Sequence, residues 1–234
     1  MSKYTARGMT ALLHRPGFVY KKTKQVPVKA DEEKQRAFIK EYKKIKRKKG
    51  KDDVIYFADA SHPQHNSLPS CGWILKGETK ELKSNTGRKR LNLHGALNLE
   101  DIDVVVREDK TINFESVISL YQQPEEKHPK GTIWVIEDNA SYYKKKEVQD
   151  YLKTSGVKVI FLPAYAPNLN IIERLWKFMH EKILCNEYYS SFLEFKDACM
   201  DFFRNIDDYR EDLEKRLTDN FEIIPSWSSN SHLR

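Results

Sequence analysis

Residues 162–177 read Leu-Pro-Ala-Tyr-Ala-Pro-Asn-Leu-Asn-Ile-Ile-Glu-Arg-Leu-Trp-Lys, and this stretch decides how the rest of the chain is interpreted. Pro163 and Pro167 restrict the backbone and predict a loop. The residues after Asn170 predict a helix that carries Glu173 in its first turn. Glu173 then has two interpretations. It has the spacing from Asn170 that forms a capping box at a helix start, and it is a candidate metal ligand.

Two aspartates lie at the ends of predicted strands. Asp59 comes near the end of the strand Val54–Ala60, and Asp138 closes the strongly apolar strand Thr132–Glu137. Asp138 could simply form a turn with the Asn that follows it, because both residue types favour turns. Together with Glu173, however, the aspartates make a set of carboxylates at element ends, where side chains converge at one edge of a sheet. Mg²⁺ prefers such oxygen donors, and two ions about 4 Å apart are a recurrent means of cleaving phosphodiesters.

Other kinds of catalytic site find little support in the sequence. It contains no Ser/His/Asp or Cys/His arrangement and no complete glycine-rich phosphate loop. The three cysteines lack CxxC spacing and predict neither a disulfide framework nor a zinc site. Asn139 either orients a metal-bound water or forms a turn, and Trp176 is predicted to pack in the core. Asp59, Asp138 and Glu173 are therefore the candidate catalytic and metal-binding residues.

From residue 52 onward the chain has the pattern of a mixed α/β domain. Besides the two strands above, the sequence predicts strands at Cys71–Leu75, Arg90–Leu99 (broken at Gly95), Val104–Arg107 and Val157–Leu162, helices at Asn113–Gln122 and Lys144–Ser155, and a mainly helical remainder from Asn170 to about Phe221. A strand meander followed by alternating helices and strands is the order of a ribonuclease-H-like fold, a mixed sheet flanked by helices. Several other α+β folds share that order.

The first fifty residues have a different character. Met1–Arg15 carries apolar residues at helical spacing, and two short extended pieces follow at Phe18–Tyr20 and Gln25–Val28. Asp31 then precedes a helical run that ends near Gly50. This arrangement predicts the remnant of a winged-helix DNA-binding module followed by a basic linker helix. We predict three parts: this module and linker at residues 1–51, a catalytic domain at 52–225 and a flexible tail at 226–234.

The charge balance favours a polyanionic partner without proving one. Lys and Arg number 41 against 34 Asp and Glu, which gives a formal net charge of +7. The candidate contacts to DNA phosphates are Lys43, Lys44, Lys46, Arg47, Lys48, Lys49, Arg88, Lys89 and Arg90. The alternatives are a solvated helix face or a flexible tether for the first group and a solvated loop for the second.

Targeting signals are not visible in the sequence. The chain begins with no charged-then-apolar leader, and no apolar run approaches the length of a membrane span. The scattered cysteines favour a reducing compartment. These features predict a cytoplasmic protein that reaches the DNA of a bacterial nucleoid.

The stretch 162–177 resembles the signature of DDE transposases of the mariner superfamily, in particular their bacterial insertion-sequence branch. The family pattern Leu-Pro-x-Tyr-x-Pro-x-Leu-Asn-x-Ile-Glu-x-x-Trp is met at every position. The family's second motif, a strand ending in Asp-Asn-Ala, is present at 138–140, with 34 residues between Asp138 and Glu173. Its first motif, Phe-x-Asp, is present at 57–59. The resemblance covers nearly the whole chain, since residues 4–14 resemble the last helix of the family's helix-turn-helix region.

The resemblance implies metal-dependent cleavage of double-stranded DNA at terminal inverted repeats, then attack of a 3′-hydroxyl on target DNA at TA-containing sites. It implies that Asp59, Asp138 and Glu173 bind Mg²⁺ or Mn²⁺, with two ions in the DNA complex, and that the protein is at least a homodimer on DNA. A longer DNA-binding region precedes this point in the family, so we expect a truncated protein or the downstream product of a split reading frame. Two positions depart from the family: Ala60 where many relatives have Glu, and Tyr143 where many have His.

Two other functions fit part of the pattern. A non-catalytic DNA-binding remnant would retain the basic residues, but the intact set of carboxylates argues against it. A different nuclease on the same fold, such as a ribonuclease H or a junction resolvase, would retain the carboxylates. The Pro-Asn-Leu-Asn-Ile-Ile-Glu stretch at 167–173 argues against that second alternative.

Overall fold

The computed structural model describes residues 5–20 and 27–226 and has a five-stranded mixed sheet at its centre. The strands are β1 Val54–Ser61, β2 Leu93–Asn98, β3 Asp103–Glu108, β4 Ile133–Glu137 and β5 Val157–Phe161. Their order across the sheet is β3-β2-β1-β4-β5. The pairs β1–β2 and β2–β3 are antiparallel, whereas β1–β4 and β4–β5 are parallel. The predicted mixed α/β sheet is therefore confirmed.

Helices cover both faces of the sheet. The described helices are α1 Ala6–His14, α2 Glu32–Lys48, α3 Phe114–Lys127, α4 Lys146–Leu152, α5 Ile172–Met179, α6 Phe192–Arg204 and α7 Arg210–Arg216, and α1 buries no residue. Helix α2 begins as predicted at Asp31, whose side chain accepts a hydrogen bond from the backbone of Lys34 at 3.0 Å. Among the described helices, none combines the length and the apolar character that crossing a membrane requires.

The two faces of β1 contribute to two separate cores because alternate side chains of a strand point to opposite sides. Tyr56 packs with Val117 and its neighbours in the layer formed by α3 and α4. Phe57 packs in the other core together with Tyr42 of α2 and Leu175 of α5. Helix α2 thus packs directly on the sheet. The proposed division of the chain after residue 51 remains a prediction.

Three sequence predictions about this domain are wrong. Cys71–Leu75 is not a strand: its apolar side chains are exposed, Trp73 most of all, and both β1 and β2 already have strands on each side. Gly95 does not break its strand, because β2 runs through it with β1 on one side and β3 on the other. The helical remainder ends at Arg216, and residues 217–226 form an irregular segment over α2 and α5.

The amino-terminal predictions have mixed outcomes. Helix α1 confirms the first predicted helix, and Thr5 caps it through a hydrogen bond from the backbone of Gly8 at 3.1 Å. Residues 18–20 are not a strand. The second predicted extended piece, 25–28, lies partly outside the described residues, and so does the predicted tail apart from residue 226.

Candidate active site

Asp59, Asp138 and Glu173 line one cavity of about 450 Å³ at the edge of the sheet where β1 and β4 end. Asp59 lies in β1, Asp138 follows the last residue of β4, and Glu173 lies in the first turn of α5. The remainder of the cavity wall comes from the loop between β5 and α5 and from the turn after β4. The three residues singled out in the sequence are therefore brought together.

The pairing of two parallel strands explains why the aspartates meet. Phe57 of β1 is opposite Ile136 of β4, and both side chains belong to the core beneath α5. Asp59 and Asp138 each follow two residues later, so they continue the same row on the same face. Helix α5 covers this face and supplies Glu173.

The loop that leads to Glu173 is held by Asn170 rather than closed by a capping box. The side chain of Asn170 is buried and donates a hydrogen bond to the carbonyl of Ala58 at 3.1 Å. Helix α5 begins after Ile171 without a side-chain cap. The capping-box interpretation of Glu173 is thus wrong, because Asn170 ties the loop to β1 beside Asp59 instead.

Trp176 contributes to the site as well as to the core. It is buried, as predicted, but its Nε1 also donates a hydrogen bond to Oδ2 of Asp59 at 3.2 Å. Gly95 lies opposite Asp59 in the sheet, and a Cβ at this position would lie 2.6 Å from Cη2 of Trp176. The indole therefore reaches Asp59 because position 95 carries no side chain. Sequence reasoning missed this contact, which depends on the pairing of β1 with β2.

Asp138 and Asn139 build the turn on the other side of the cavity. Oδ1 of Asp138 accepts a hydrogen bond from the backbone of Ala140 at 2.9 Å, which is the local turn expected from the sequence. Asn139 donates to the carbonyl of Leu162 at 2.5 Å and accepts from Lys144 at 2.8 Å. Asn139 therefore ties this turn to the beginning of the loop that carries Glu173.

The carboxylates repel one another. Burial, reinforced by the charges of Glu173 and Asp138, raises the pKa of Asp59 to about 7, although hydrogen bonds from Ala60 and Trp176 act in the opposite direction. Glu173 is exposed as a whole residue, yet desolvation by the cavity wall and then the charge of Asp138 raise the pKa of its carboxyl. A bound cation would remove this repulsion.

The donor set fits a magnesium-type ion, but the side chains do not enclose one on their own. Three carboxylates from separate elements supply the oxygen ligands that Mg²⁺ prefers, and Mg²⁺ commonly keeps water or substrate phosphate as further ligands. Within residues 5–20 and 27–226, no group of three or more His, Cys, Asp or Glu side chains forms a ready-made metal cage. Oxygens from outside the chain would have to complete the coordination.

The two departures from the family pattern do not add a carboxylate or imidazole to the cavity. Tyr143 is completely buried and shares a hydrogen bond with Nε2 of His94 at 3.0 Å. Burial lowers the pKa of His94 to about 4. Glu137, just before Asp138, is also buried and accepts a hydrogen bond from Tyr121 at 2.7 Å. These polar groups lie on the other face of the sheet, in the core formed with α3 and α4.

The basic residues of α2 lie at the opposite end of the sheet from the carboxylates. Lys49 donates to the carbonyl of Asp53, just before β1, at 3.2 Å and pairs with Glu100 at 2.7 Å. Lys46 pairs with Asp219 at 2.6 Å. The other predicted contacts of this group, Lys43, Lys44, Arg47 and Lys48, are exposed.

The second basic group lies at the same edge as the carboxylates. Arg88, Lys89 and Arg90 are exposed and precede β2, and Arg90 forms an isolated bridge with Gln64, which follows β1. Lys89 also lies over the ring of Phe192 at 5.7 Å. The role of both basic groups in DNA binding remains a prediction.

Several similar solved structures are of the Mos1 transposase. A structure titled "Mos1 transposase paired-end complex with left transposon end" has a TM-score of 0.66 and 19% identity, and the match covers 90% of this chain and 68% of that one. A structure titled "Crystal structure of the catalytic domain of Mos1 mariner transposase" has a TM-score of 0.55 and 18% identity, with coverage of 83% and 93%. These likenesses support the predicted ribonuclease-H-like class of fold.

Sequence comparisons give a consistent result. The chain is 28% identical over 139 residues to the "Insertion element IS630 uncharacterized 39 kDa protein" of Shigella sonnei. The match covers 58% of this chain and 40% of that protein, so the chain spans less than half of this relative. A winged helix-turn-helix family model matches residues 2–42, and the model described as DDE superfamily endonuclease matches residues 54–196. The chain therefore belongs to the DDE superfamily of endonucleases.

Proposed function

We propose that this protein is the catalytic part of a DNA transposase. It cleaves DNA at the ends of a mobile element and joins them to target DNA at TA-containing sites. The observation that carries the proposal is the convergence of Asp59, Asp138 and Glu173 on one cavity. Their mutual repulsion is the second support, because it is relieved by a bound cation.

In this proposal the three carboxylates bind Mg²⁺ or Mn²⁺, two ions when DNA is present. Such ions activate a water or a DNA 3′-hydroxyl and stabilise the leaving oxygen. The chain positions each ligand separately: Trp176 holds Asp59, the Asp138–Ala140 turn holds Asp138, and helix α5 holds Glu173. The DNA phosphate supplies oxygens that the side chains alone do not.

The substrate and the assembly are part of the proposal. Titles of similar structures name a left transposon end, a strand transfer complex, and complexes with Mn and with Mg. For this chain we infer binding of double-stranded terminal inverted repeats and target DNA by a homodimer, in the bacterial cytoplasm at the nucleoid. The winged helix-turn-helix match and the net charge of +7 support a DNA partner.

Cleavage of a defined substrate tests this proposal. The chain is incubated with labelled double-stranded DNA carrying the terminal repeats of its element, with Mg²⁺ or Mn²⁺ or with EDTA. We expect metal-dependent nicking that Asp138→Ala abolishes. The matched control is Asp150→Ala, which removes an exposed carboxylate of α4 that pairs with Lys153.

Each alternative has its own outcome in the same experiment. Equal cleavage by Asp138→Ala and the unchanged chain would contradict the metal-ligand assignment. DNA binding without cleavage under any metal condition would favour the non-catalytic remnant. Preference for an RNA–DNA hybrid would favour a ribonuclease, an alternative that the winged helix-turn-helix match argues against.

A further inference from the structure

Tyr165 has an unfavourable backbone conformation at the edge of the carboxylate cavity. Its φ is 60°, in the left-handed region that bulky residues rarely adopt, and its side chain is 54% exposed. Such backbone strain persists only where the surroundings enforce it, and it is concentrated at functional sites. Hydrogen bonds fix both ends of the loop that contains Tyr165. Asn139 donates to the carbonyl of Leu162 at its beginning, and Asn170 at its other end donates to the carbonyl of Ala58.

The cavity has an apolar side that metal binding does not require. Tyr165 and its neighbours Pro163, Ala164, Ala166 and Pro167 form this side, next to Glu173. A volume of about 450 Å³ is within the range of sites for small organic groups. The wall therefore suits a flat apolar group placed beside a phosphate.

A cation accompanies the exposed ring. Nζ of Lys29 lies 5.4 Å from the centroid of the Tyr165 ring, and Lys29 is itself exposed. Lys29 belongs to the short segment that leads into α2, which is anchored by the buried residue Ala30. An aromatic ring with a lysine beside it is a combination that binds single-stranded nucleic acid, with a base on the ring and a phosphate at the cation.

We propose that Tyr165 and Lys29 form a subsite for the nucleotide next to the scissile phosphodiester. Lys29 covers one face of the ring and contacts that nucleotide's phosphate, and the base stacks on the other face after it has turned out of the duplex. Stacking needs only a flat aromatic partner, so this subsite positions the strand without reading its sequence. The inference rests on the proposed function, since it assumes that DNA is the substrate of the carboxylates.

The test combines protein variants with modified DNA. Tyr165→Asn removes the ring but keeps a residue that tolerates the left-handed backbone, and Tyr165→Phe keeps the ring. Each variant is assayed for binding, in Ca²⁺ or EDTA, to DNA with either a normal or an abasic nucleotide next to the cleavage position. We expect Tyr165→Asn to weaken binding of normal DNA by about 5- to 100-fold and Tyr165→Phe to change it little.

The abasic substrate separates stacking from an indirect effect. The affinity of the unchanged chain should fall by the same factor when the DNA is abasic. Tyr165→Asn should cause no further loss of affinity for abasic DNA. An equal loss from Tyr165→Asn on both substrates, or no loss on either, would overturn the subsite. Quenching of 2-aminopurine at this position by the unchanged chain, but not by Tyr165→Asn, reports stacking without cleavage. The subsite can therefore fail or hold independently of the cleavage proposal.

The salt dependence of DNA binding tests the role of Lys29 separately. Lys29→Ala should reduce the slope of log K against log salt by about one, because one phosphate contact is lost. Lys34→Ala is the control, since Lys34 is an exposed lysine of α2 paired with Asp31. An unchanged slope for Lys29→Ala would overturn the assignment of Lys29.

Discussion

At the residue scale, Asp59 is an active-site carboxyl whose protonation depends on its surroundings. Its folded-state pKa of about 7 lies above the ordinary value of 3.8, so the native state holds the proton more tightly than the unfolded chain does. The stability that this adds is complete below pH 4 and is lost as the pH rises from about 4 to about 7. Ionisation of Asp59 therefore lowers the free energy of unfolding of the metal-free protein at neutral and alkaline pH.

Asp59→Asn should stabilise the metal-free protein more at pH 8 than at pH 5, since the amide cannot ionise and still accepts the hydrogen bond from Trp176. We expect a gain in Tm of several degrees at pH 8 in EDTA, because about 1 kcal/mol corresponds to about 2–4 °C for a chain of this size. Added Mg²⁺ should raise the Tm of the unchanged chain by more than that of the variant. Thermal denaturation at both pH values, with Asp150→Asn as control, is the measurement. A pH-independent difference would contradict the assigned cause.

Trp176 provides the second residue-scale prediction. Trp176→Phe keeps an aromatic ring in the core but removes the Nε1 donor, which stabilises the ionised form of Asp59. The pKa of Asp59 should rise further, and ligands must be ionised to bind metal. We expect activity to fall about 10- to 100-fold at pH 7 and to recover partly at pH 9. A loss of the same size across the whole pH profile would indicate a purely structural role.

The sequence predicted the three carboxylates but not the contact between Trp176 and Asp59. Carboxylates at strand ends and at a helix start are visible as a pattern along the chain. The indole contact requires that Gly95 lie opposite Asp59, which depends on the register between two strands that are separated by 31 residues. Periodicity within one strand excludes a slip by one residue but not a slip by two, so it does not place Gly95 opposite Asp59.

At the element scale, β2 illustrates how a glycine inside a strand can have a packing role. The sequence favoured a break at Gly95, whereas the strand continues and the indole of Trp176 occupies the space of the missing side chain. Cys71–Leu75 illustrates the opposite error. Its apolar character resembles that of a strand, but a strand also needs a neighbouring strand to pair its backbone groups. Both edges of β1 and of β2 are already paired with other strands.

Gly95→Ala should destabilise the protein by about 1–3 kcal/mol, because the new Cβ overlaps the ring of Trp176. The control is Gly72→Ala: a Cβ at Gly72 has no heavy atom within 4 Å, so its effect should stay within about 0.5 kcal/mol. Chemical denaturation of the two variants and of the unchanged chain measures these free energies of unfolding. Equal stability of both variants would mean that Trp176 moves aside without cost.

At the scale of the whole molecule, Gln35 connects α2 to the active-site loop. Its buried side chain accepts hydrogen bonds from Asn168 in that loop and from the backbone of Ile224, and it donates to the carbonyls of Asp31 and Ile224. The irregular segment 217–226 thus lies between the helix and the loop. The sequence predicted helix to about Phe221, which is inside this segment, and nothing in its pattern indicated this bridging role.

Gln35→Ala should lower the free energy of unfolding by about 1–3 kcal/mol, because it leaves buried polar groups without partners. Ending the chain after Leu217 should remove part of the same network, so the two changes together should cost less than the sum of their separate effects. Arg36→Ala is the control, since its ion pair with Glu32 is exposed. Additive effects of the two changes would show that Gln35 and the segment act independently.

The position of the α2 lysines has a consequence for the length of the DNA footprint. Lys49 contacts Asp53 at the start of β1, and Asp59 lies six residues further along that strand. A strand of this length spans about 20 Å, which corresponds to about six base pairs of duplex. If the α2 lysines touch the cleaved duplex, protection of its backbone must extend at least that far from the cut. The length of the sheet would then set the distance between the DNA contacts of these lysines and the cleaved phosphodiester.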